Sequence, residues 1–292
     1  MSQKNIDSVI APPPIHWVGN GFRVHNFIPG DSRLPMQRMT PFVLLDYNSE
    51  YEFPASDTPR GVGVHPHRGF ETVTIAYKGK VEHHDSNGGG GIIGEGDVQW
   101  MTAASGILHK EYHEKKWSKN GGIFQMVQLW VNLPARDKMS DPKYQAITKE
   151  EMGKVELQNS FGFIEVIAGE YNSVRGPAST FTPINMMNAH LKKGGNADFN
   201  FPGNYNTALL VIKGSILVNN SEEVQTDNFV LFENSGEDFT IQANEDSIVL
   251  VLSGEPIHEP IAAYGPFVMN TKQELIRAYE DFNSGKFGYL ED

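Results

Sequence analysis

The sequence predicts an all-β protein of two tandem jelly-roll barrels followed by a short C-terminal helix, and three observations carry that reading. The 29 glycines and 17 prolines of the 292-residue chain fall between short apolar runs, the texture of an antiparallel β protein with many turns. At about 150 residues per domain, the length suits two domains, each large enough to bury its own core. Two segments in opposite halves of the chain read alike, as a duplicated unit would.

Strand-like runs occur at residues 41–47, 72–77, 99–102, 124–131, 163–168, 208–212, 228–232 and 247–252. Thr148 and Glu151 have the spacing of a helix start and predict a short connecting helix. Near the end, Thr271 and Glu274 have the same capping-box spacing, in which each residue satisfies an orphan donor of the first turn. Leu275, Ile276, Tyr279 and Phe282 follow at near-helical intervals, and Gly285 supplies a stop.

The repeat runs through the strands. Residues 72–81, TVTIAYKGKV, match residues 207–216, TALLVIKGSI. Asp97 and the VQWM after it match Asn228 with FVLF, Ser105-Gly106 matches Ser235-Gly236, and the run ending at Pro134 matches the run ending at Pro256. The offset shrinks from 135 to 130 to 122, as shorter loops in a second copy would produce. Even strand spacing with Lys-Gly turns, occurring twice, fits a double-sheet jelly roll. The expected domains are residues 1–135 and 136–292, the second including the C-terminal helix.

Composition excludes several function classes. The chain has no cysteine, so it has no disulfide scaffold, thiol nucleophile or Cys-ligated metal, and any metal rests on His and carboxylate. The first fourteen residues hold no apolar run of signal-peptide length, and no stretch approaches the roughly 18 apolar residues of a membrane span. A cytoplasmic protein with no membrane partner is expected. The net charge of -12 lies wholly in residues 141–292, with -10 of it between residues 221 and 260. Such an acidic half argues against direct nucleic-acid binding, which needs a basic face. Lys115, Lys116 and Lys119 read as a solvated loop. No long amphipathic or apolar seam appears, so a monomer is expected.

Six of the ten histidines fall between residues 65 and 113. His65, His67 and Glu71 occupy odd positions, and side chains two apart on an extended strand point to one face. His109 and Glu111 repeat that spacing about forty residues later. Two such pairs on facing strands would converge inside one barrel, and spacing leaves the carboxylate open between Glu71 and Glu111. His and carboxylate donors with open positions suit Fe(II), while Ni, Co, Mn, Cu or Zn accept similar donors. His83 and His84 face opposite ways on a strand, so they and His113 read as rim or solvent residues, with an orienting role for one of them. His16, His25, His190 and His258 are isolated. Through the repeat, His65, His67, His109 and Glu111 fall on Asn200, Pro202, Phe239 and Ile241, so no ligand survives in the second copy. That half reads as structural, or as a binding surface made acidic by eight carboxylates between residues 222 and 246.

The stretches HPHRGFETV from His65, GDVQWMTA from Gly96, SGILHKE from Ser105, QLWVNLP from Gln128 and EPIAAYGPFVMNT from Glu259 resemble the pirin family over most of the chain. These are bicupin proteins of the cupin superfamily with a metal in the N-terminal barrel only. The resemblance implies His65, His67, His109 and Glu111 as metal ligands, with Glu71 structural, and iron as the usual metal. It also implies two roles. One is a quercetin 2,3-dioxygenase, which opens flavonols with dioxygen and loses carbon monoxide. There, Glu111 is either a ligand throughout or the base that takes the flavonol hydroxyl proton. The other is a non-enzymatic, metal-dependent and redox-sensing regulator of a protein partner. Some other metal-chelating metabolite is a further substrate class, and Gln99, Met101 and Gln128 are candidate pocket-lining residues.

Overall fold

Each strand-like run falls on a β-strand in the computed structural model, which describes residues 2–292, and antiparallel sheet dominates the chain. The chain divides into two units. One comprises Pro13–Lys149 and Ile257–Asp292, the other Glu150–Pro256 with the residues up to Pro12. In the histidine-bearing unit, a seven-stranded sheet runs in the order Lys143–Ile147, Val98–Thr102, Phe70–Lys78, Gly122–Asn132, Phe42–Phe53, Phe22–Ile28 and Ile15–Val18. A four-stranded sheet follows the order Gly61–His67, Ile107–His113, Val81–Asp85 and Gly90–Ile93.

The other unit repeats this order. Its seven strands are Ile6–Ile10, Phe229–Phe232, Asn206–Lys213, Ser247–Gly254, Ile184–Leu191, Gly162–Ala168 and Gly153–Glu156. Its four are Asn196–Asn200, Asp238–Ala243, Ser215–Val218 and Glu222–Gln225. The strand beside Phe229–Phe232 comes from the start of the chain, whereas the strand beside Val98–Thr102 is Lys143–Ile147. The division therefore falls after Lys149 and not near residue 135. Both Lys-Gly turns use a left-handed glycine, Gly79 at φ +85° and Gly214 at φ +78°. A Cβ on Gly214 would stand 2.7 Å from the Asp246 carbonyl.

In the second unit, both sheets share one core that includes Phe199, Phe201, Phe232, Phe239 and Tyr171. Phe199 and Phe239 are cross-strand partners with stacked rings 5.1 Å apart. The equivalent cross-strand pair in the first unit is His65 and His109. Pairing thus matches His65 to Phe199 and His67 to Phe201, one residue before the Asn200 and Pro202 that a constant offset selects. A one-residue slip turns every side chain to the other face, so the pairing decides.

The C-terminal helix forms as Lys272–Asn283. Thr271 Oγ1 accepts from the Glu274 amide, and the Glu274 carboxylate accepts from the Thr271 amide. The expected helix at Thr148 and Glu151 does not form; only five residues separate the Lys143–Ile147 and Gly153–Glu156 strands, and they make a turn. The Ile257–Asp292 segment is tied into its unit by buried polar groups. Arg68 donates to Asp281 at 2.9 Å, Lys286 pairs with the same carboxylate at 2.6 Å, and the Arg68 guanidinium lies over Phe287. Lys138 is fully buried and donates to the carbonyls of Gly69 and Val268 and to Asn132 Oδ1. Burial pushes its amine down to about 7, while three acceptors favour the ammonium, the one form with three hydrogens to give. Among the described residues, no helix is long and apolar enough to cross a membrane.

The Asp281 carboxyl is held below its ordinary range by hydrogen bonds from Lys286 and Arg68. A lowered folded pKa contributes stability above the unfolded value of about 3.9, and that stability is lost as pH falls through the folded value. Asp281→Asn should therefore lower the thermal midpoint at pH 7, and its difference from wild type should shrink below about pH 4. A difference that stays constant down to pH 3 would contradict the ion pair's role.

Candidate functional site

The Ile107–His113 strand alternates strictly in burial, so Ile107, His109, Glu111 and His113 all point inward. It pairs with Gly61–His67, placing His65 opposite His109 and Val62 opposite Glu111, so three intervals on one strand meet two on the other. This bulge lets His65 Nδ1 donate to the Gly63 carbonyl at 2.8 Å. His67 Nδ1 donates to the Pro266 carbonyl at 3.3 Å, and His109 Nδ1 lies 3.0 Å from His83 Nε2. With each Nδ1 engaged, each of the three histidines keeps Nε2 bare.

One nitrogen from each of His65, His67 and His109 lies within 4.8 Å of the others. The three ring centroids stand 4.2 to 4.9 Å apart. Burial, reinforced by the neighbouring imidazole of His65, holds His67 and His109 well below the ordinary histidine value, and burial also lowers His65. The rings are therefore neutral, the form in which imidazole ligates a metal. His109 Nε2 is buried with no hydrogen-bond partner. A buried orphan nitrogen is costly, and a cation facing it would remove that cost. The residues fit a first-row transition ion.

Glu111 faces the same interior but stands outside this tight set. Its carboxylate accepts from Gln128 Nε2 at 2.9 Å and from Thr74 Oγ1 at 3.4 Å. Burial pushes it up to about 7, with both hydrogen bonds opposing the rise. Next to these groups is a cavity of 360 Å³, bordered by His65, His67, Glu111, Gln128 and Asp46 and otherwise mostly apolar. Trp130 forms part of its wall, stacks on Phe70 with centroids 4.2 Å apart, and packs with it against the His67 ring.

Of the three expected lining residues, Gln128 borders the cavity, whereas Gln99 and Met101 do not. Glu71 does not share the face of His65 and His67. The chain turns at Gly69, φ +90°, between two separate strands, so counting odd positions fails across it. Glu71 lies three residues from Thr74 on one strand, hence on the opposite face, where it accepts from Thr102 Oγ1 at 2.7 Å. His83 and His113 are buried, not rim residues, and only His84 is exposed. His113 reaches the Gly21 carbonyl among the rings of Phe22, Phe53, Trp117 and Phe124. His83 orients His109 and stacks 5.5 Å from Tyr144. Asp46 went unnoticed in the sequence, although an acidic residue inside the apolar run 41–47 is a signal. Pro266 had none, because only its carbonyl acts.

His83→Phe keeps a ring in place and removes the hydrogen-bond partner of His109 Nδ1. Affinity for Co(II), measured by competition with a chelator, should fall about 10- to 100-fold. Unchanged affinity would remove His83 from the site.

The chain matches the pirin family over residues 21–131 and the pirin C-terminal cupin domain over residues 186–288. A Pseudomonas aeruginosa protein named as a quercetin 2,3-dioxygenase is 47% identical over 272 residues, 93% of this chain and 94% of its own. A pirin-like protein of Solanum lycopersicum is 35% identical over 260 residues, covering 88% of this chain and 85% of that one. The crystal structure of a quercetin 2,3-dioxygenase from Acinetobacter baumannii superposes with a TM-score of 0.93 at 45% identity, over 99% of this chain and 100% of the other. On these matches, the chain belongs to the pirin family of bicupin proteins.

Proposed function

We propose that this protein is a metal-dependent dioxygenase that cleaves flavonols such as quercetin in the cytoplasm, with the reaction confined to the histidine-bearing unit. We further propose that each unit closes as a cupin barrel. The carrying observation is the set of three neutral imidazoles, two buried and one half-buried, whose bare nitrogens stand beside a mostly apolar cavity bordered by a carboxylate. A cavity of 360 Å³ is at the lower end of the roughly 300–1,000 Å³ typical of small-molecule sites, and its apolar walls suit a flat aromatic ligand. They favour an enzyme over a regulator that works through a protein partner. Quercetin 2,3-dioxygenases among its relatives support the same reading.

His65, His67 and His109 would hold the ion through Nε2, with Glu111 as the fourth ligand and Fe(II) as the first choice of metal. The bound ion would supply Lewis acidity and a template for a chelating substrate and dioxygen. Glu111 would also take the flavonol hydroxyl proton on a carboxylate oxygen, as a carboxylate beside a metal can. Gln128 holds that carboxylate in place, and the Trp130 wall keeps water from the ring. Both atoms of dioxygen enter the product, and one substrate carbon leaves as carbon monoxide.

Iron-loaded protein incubated aerobically with quercetin should bleach the flavonol absorbance and release carbon monoxide. No turnover with iron, nickel, cobalt, manganese or copper would overturn the reading. His67→Ala should lose most bound metal by elemental analysis, and retained stoichiometric metal would show the site to be elsewhere. Glu111→Gln should lower kcat by about 10²- to 10⁴-fold, the usual contribution of a positioned base.

A further inference from the structure

The histidines and Glu111 account for one part of the cavity wall, and a second carboxylate stands in another. Gln128 is the cross-strand partner of Thr74 on one side and of Asp46 on the other, and Asp46 is in turn the partner of Asn26. These four side chains form one polar row across four adjacent strands. Glu111, from the facing sheet, meets the row at Thr74 and Gln128. Asp46 and Gln128 are the two polar side chains that the seven-stranded sheet presents to the cavity; the rest are apolar, including Val24, Leu44, Met126 and Trp130.

The amide groups of this row are already engaged. Gln128 donates to Glu111, and Asn26 Nδ2 donates to the Ile28 carbonyl at 2.9 Å and to Asp46 Oδ1 at 2.7 Å. Asn26 is therefore anchored and fixes the orientation of Asp46. The second oxygen, Oδ2, makes no hydrogen bond within the described residues, although Asp46 is only 8% exposed. Burial raises the Asp46 carboxyl above its ordinary value, with the Asn26 hydrogen bond and the charge of His16 opposing. An ionised carboxylate only accepts hydrogen bonds, and one set in an apolar wall is costly without a donor.

We propose that Asp46 is a specificity-determining residue that accepts a hydrogen bond from a substrate hydroxyl remote from the oxygen pair facing the histidines. The favoured substrates are then flat aromatics carrying a chelating oxygen pair and at least one further phenolic hydroxyl. This rests on the dioxygenase reading and narrows its substrate class: a flavonol with no hydroxyl beyond the chelating pair fits the walls but leaves Oδ2 without a donor. A site built to bond a hydroxyl discriminates strongly against the analogue that lacks it, because its own polar group stays unpaired.

The test compares quercetin with 3-hydroxyflavone, which keeps the chelating pair and lacks every other hydroxyl. Binding to metal-loaded protein is measured without oxygen, by quenching of tryptophan fluorescence, since Trp130 borders the cavity. Wild type should prefer quercetin by about 10- to 100-fold, as expected for a hydrogen bond to a charged acceptor. Asp46→Ala should lose most of that preference by weakening quercetin far more than 3-hydroxyflavone. Asp46→Asn keeps the shape and a neutral acceptor and should retain part of it, which also serves if the alanine variant does not fold. An unchanged preference in both variants would overturn the assignment, and so would an equal loss for both ligands, which marks a structural role. If metal-loaded wild type binds neither flavonol, the dioxygenase reading fails first and the Asp46 assignment fails with it.

Discussion

Three imidazole rings packed with centroids 4.2 to 4.9 Å apart, two buried and one half-buried, each with a bare nitrogen, impose the constraint on which the histidine-bearing unit depends. Neutral imidazole carries one hydrogen on one of two nitrogens, so a free lone pair can be aimed only if the hydrogen is held on the other nitrogen. The fold provides a hydrogen-bond partner for each Nδ1: the Gly63 carbonyl, the Pro266 carbonyl and His83 Nε2. Burial pushes His83 down to about 3, so this ring too is neutral. The remaining nitrogens face one another, and no protein donor meets His109 Nε2. Leaving such an atom unpaired costs about 1–3 kcal/mol, so the sheets around it must be rigid enough to hold the arrangement until a ligand relieves it.

The second unit shows what the same frame does without that constraint. Where the first has His65, His67 and His109, the second has Phe199, Phe201 and Phe239, again three rings from two neighbouring strands. Phenyl rings need no acceptors and no partner, so they close on one another and fill the interior with aromatic core. The change from phenyl to imidazole at three positions accompanies the difference between an aromatic core and a cavity bordered by histidines in this frame.

The strands and the metal-facing histidines were legible because both rest on local periodicity. Alternation placed His65 with His67 and His109 with Glu111, and the pairing of their strands brought the two pairs together. Local periodicity fails where the chain bends. Gly69 breaks the count between His67 and Glu71, so a residue in step by number is out of step in space. The single repeat offset failed likewise at Asn200, one residue from the true partner, because register is decided by hydrogen-bonded pairing. Residues that act through tertiary neighbours left weaker traces: His83 looked like half of an exposed pair, and Asp46 lay unremarked inside the strand-like run 41–47. The Thr148 helix start had good local chemistry but too few residues before the next strand.

The least legible part of the site is also the part that fixes His67. Residues 67–69 are bound to residues 266–268 at three points. His67 Nδ1 donates to the Pro266 carbonyl, the Val268 amide donates to the Arg68 carbonyl, and Lys138 bridges the carbonyls of Gly69 and Val268. The partners of the first contact are 199 residues apart in sequence. Arg68, next to His67, pairs with Asp281 of the C-terminal helix, which ties the same stretch to that helix. Three histidines and a carboxylate from one half of the chain are therefore insufficient to define the centre. Without residues 257–292, the His67 ring would lose the acceptor that selects its tautomer, and either nitrogen could carry the hydrogen. The C-terminal segment is thus part of the three-histidine site, to which it contributes a backbone carbonyl.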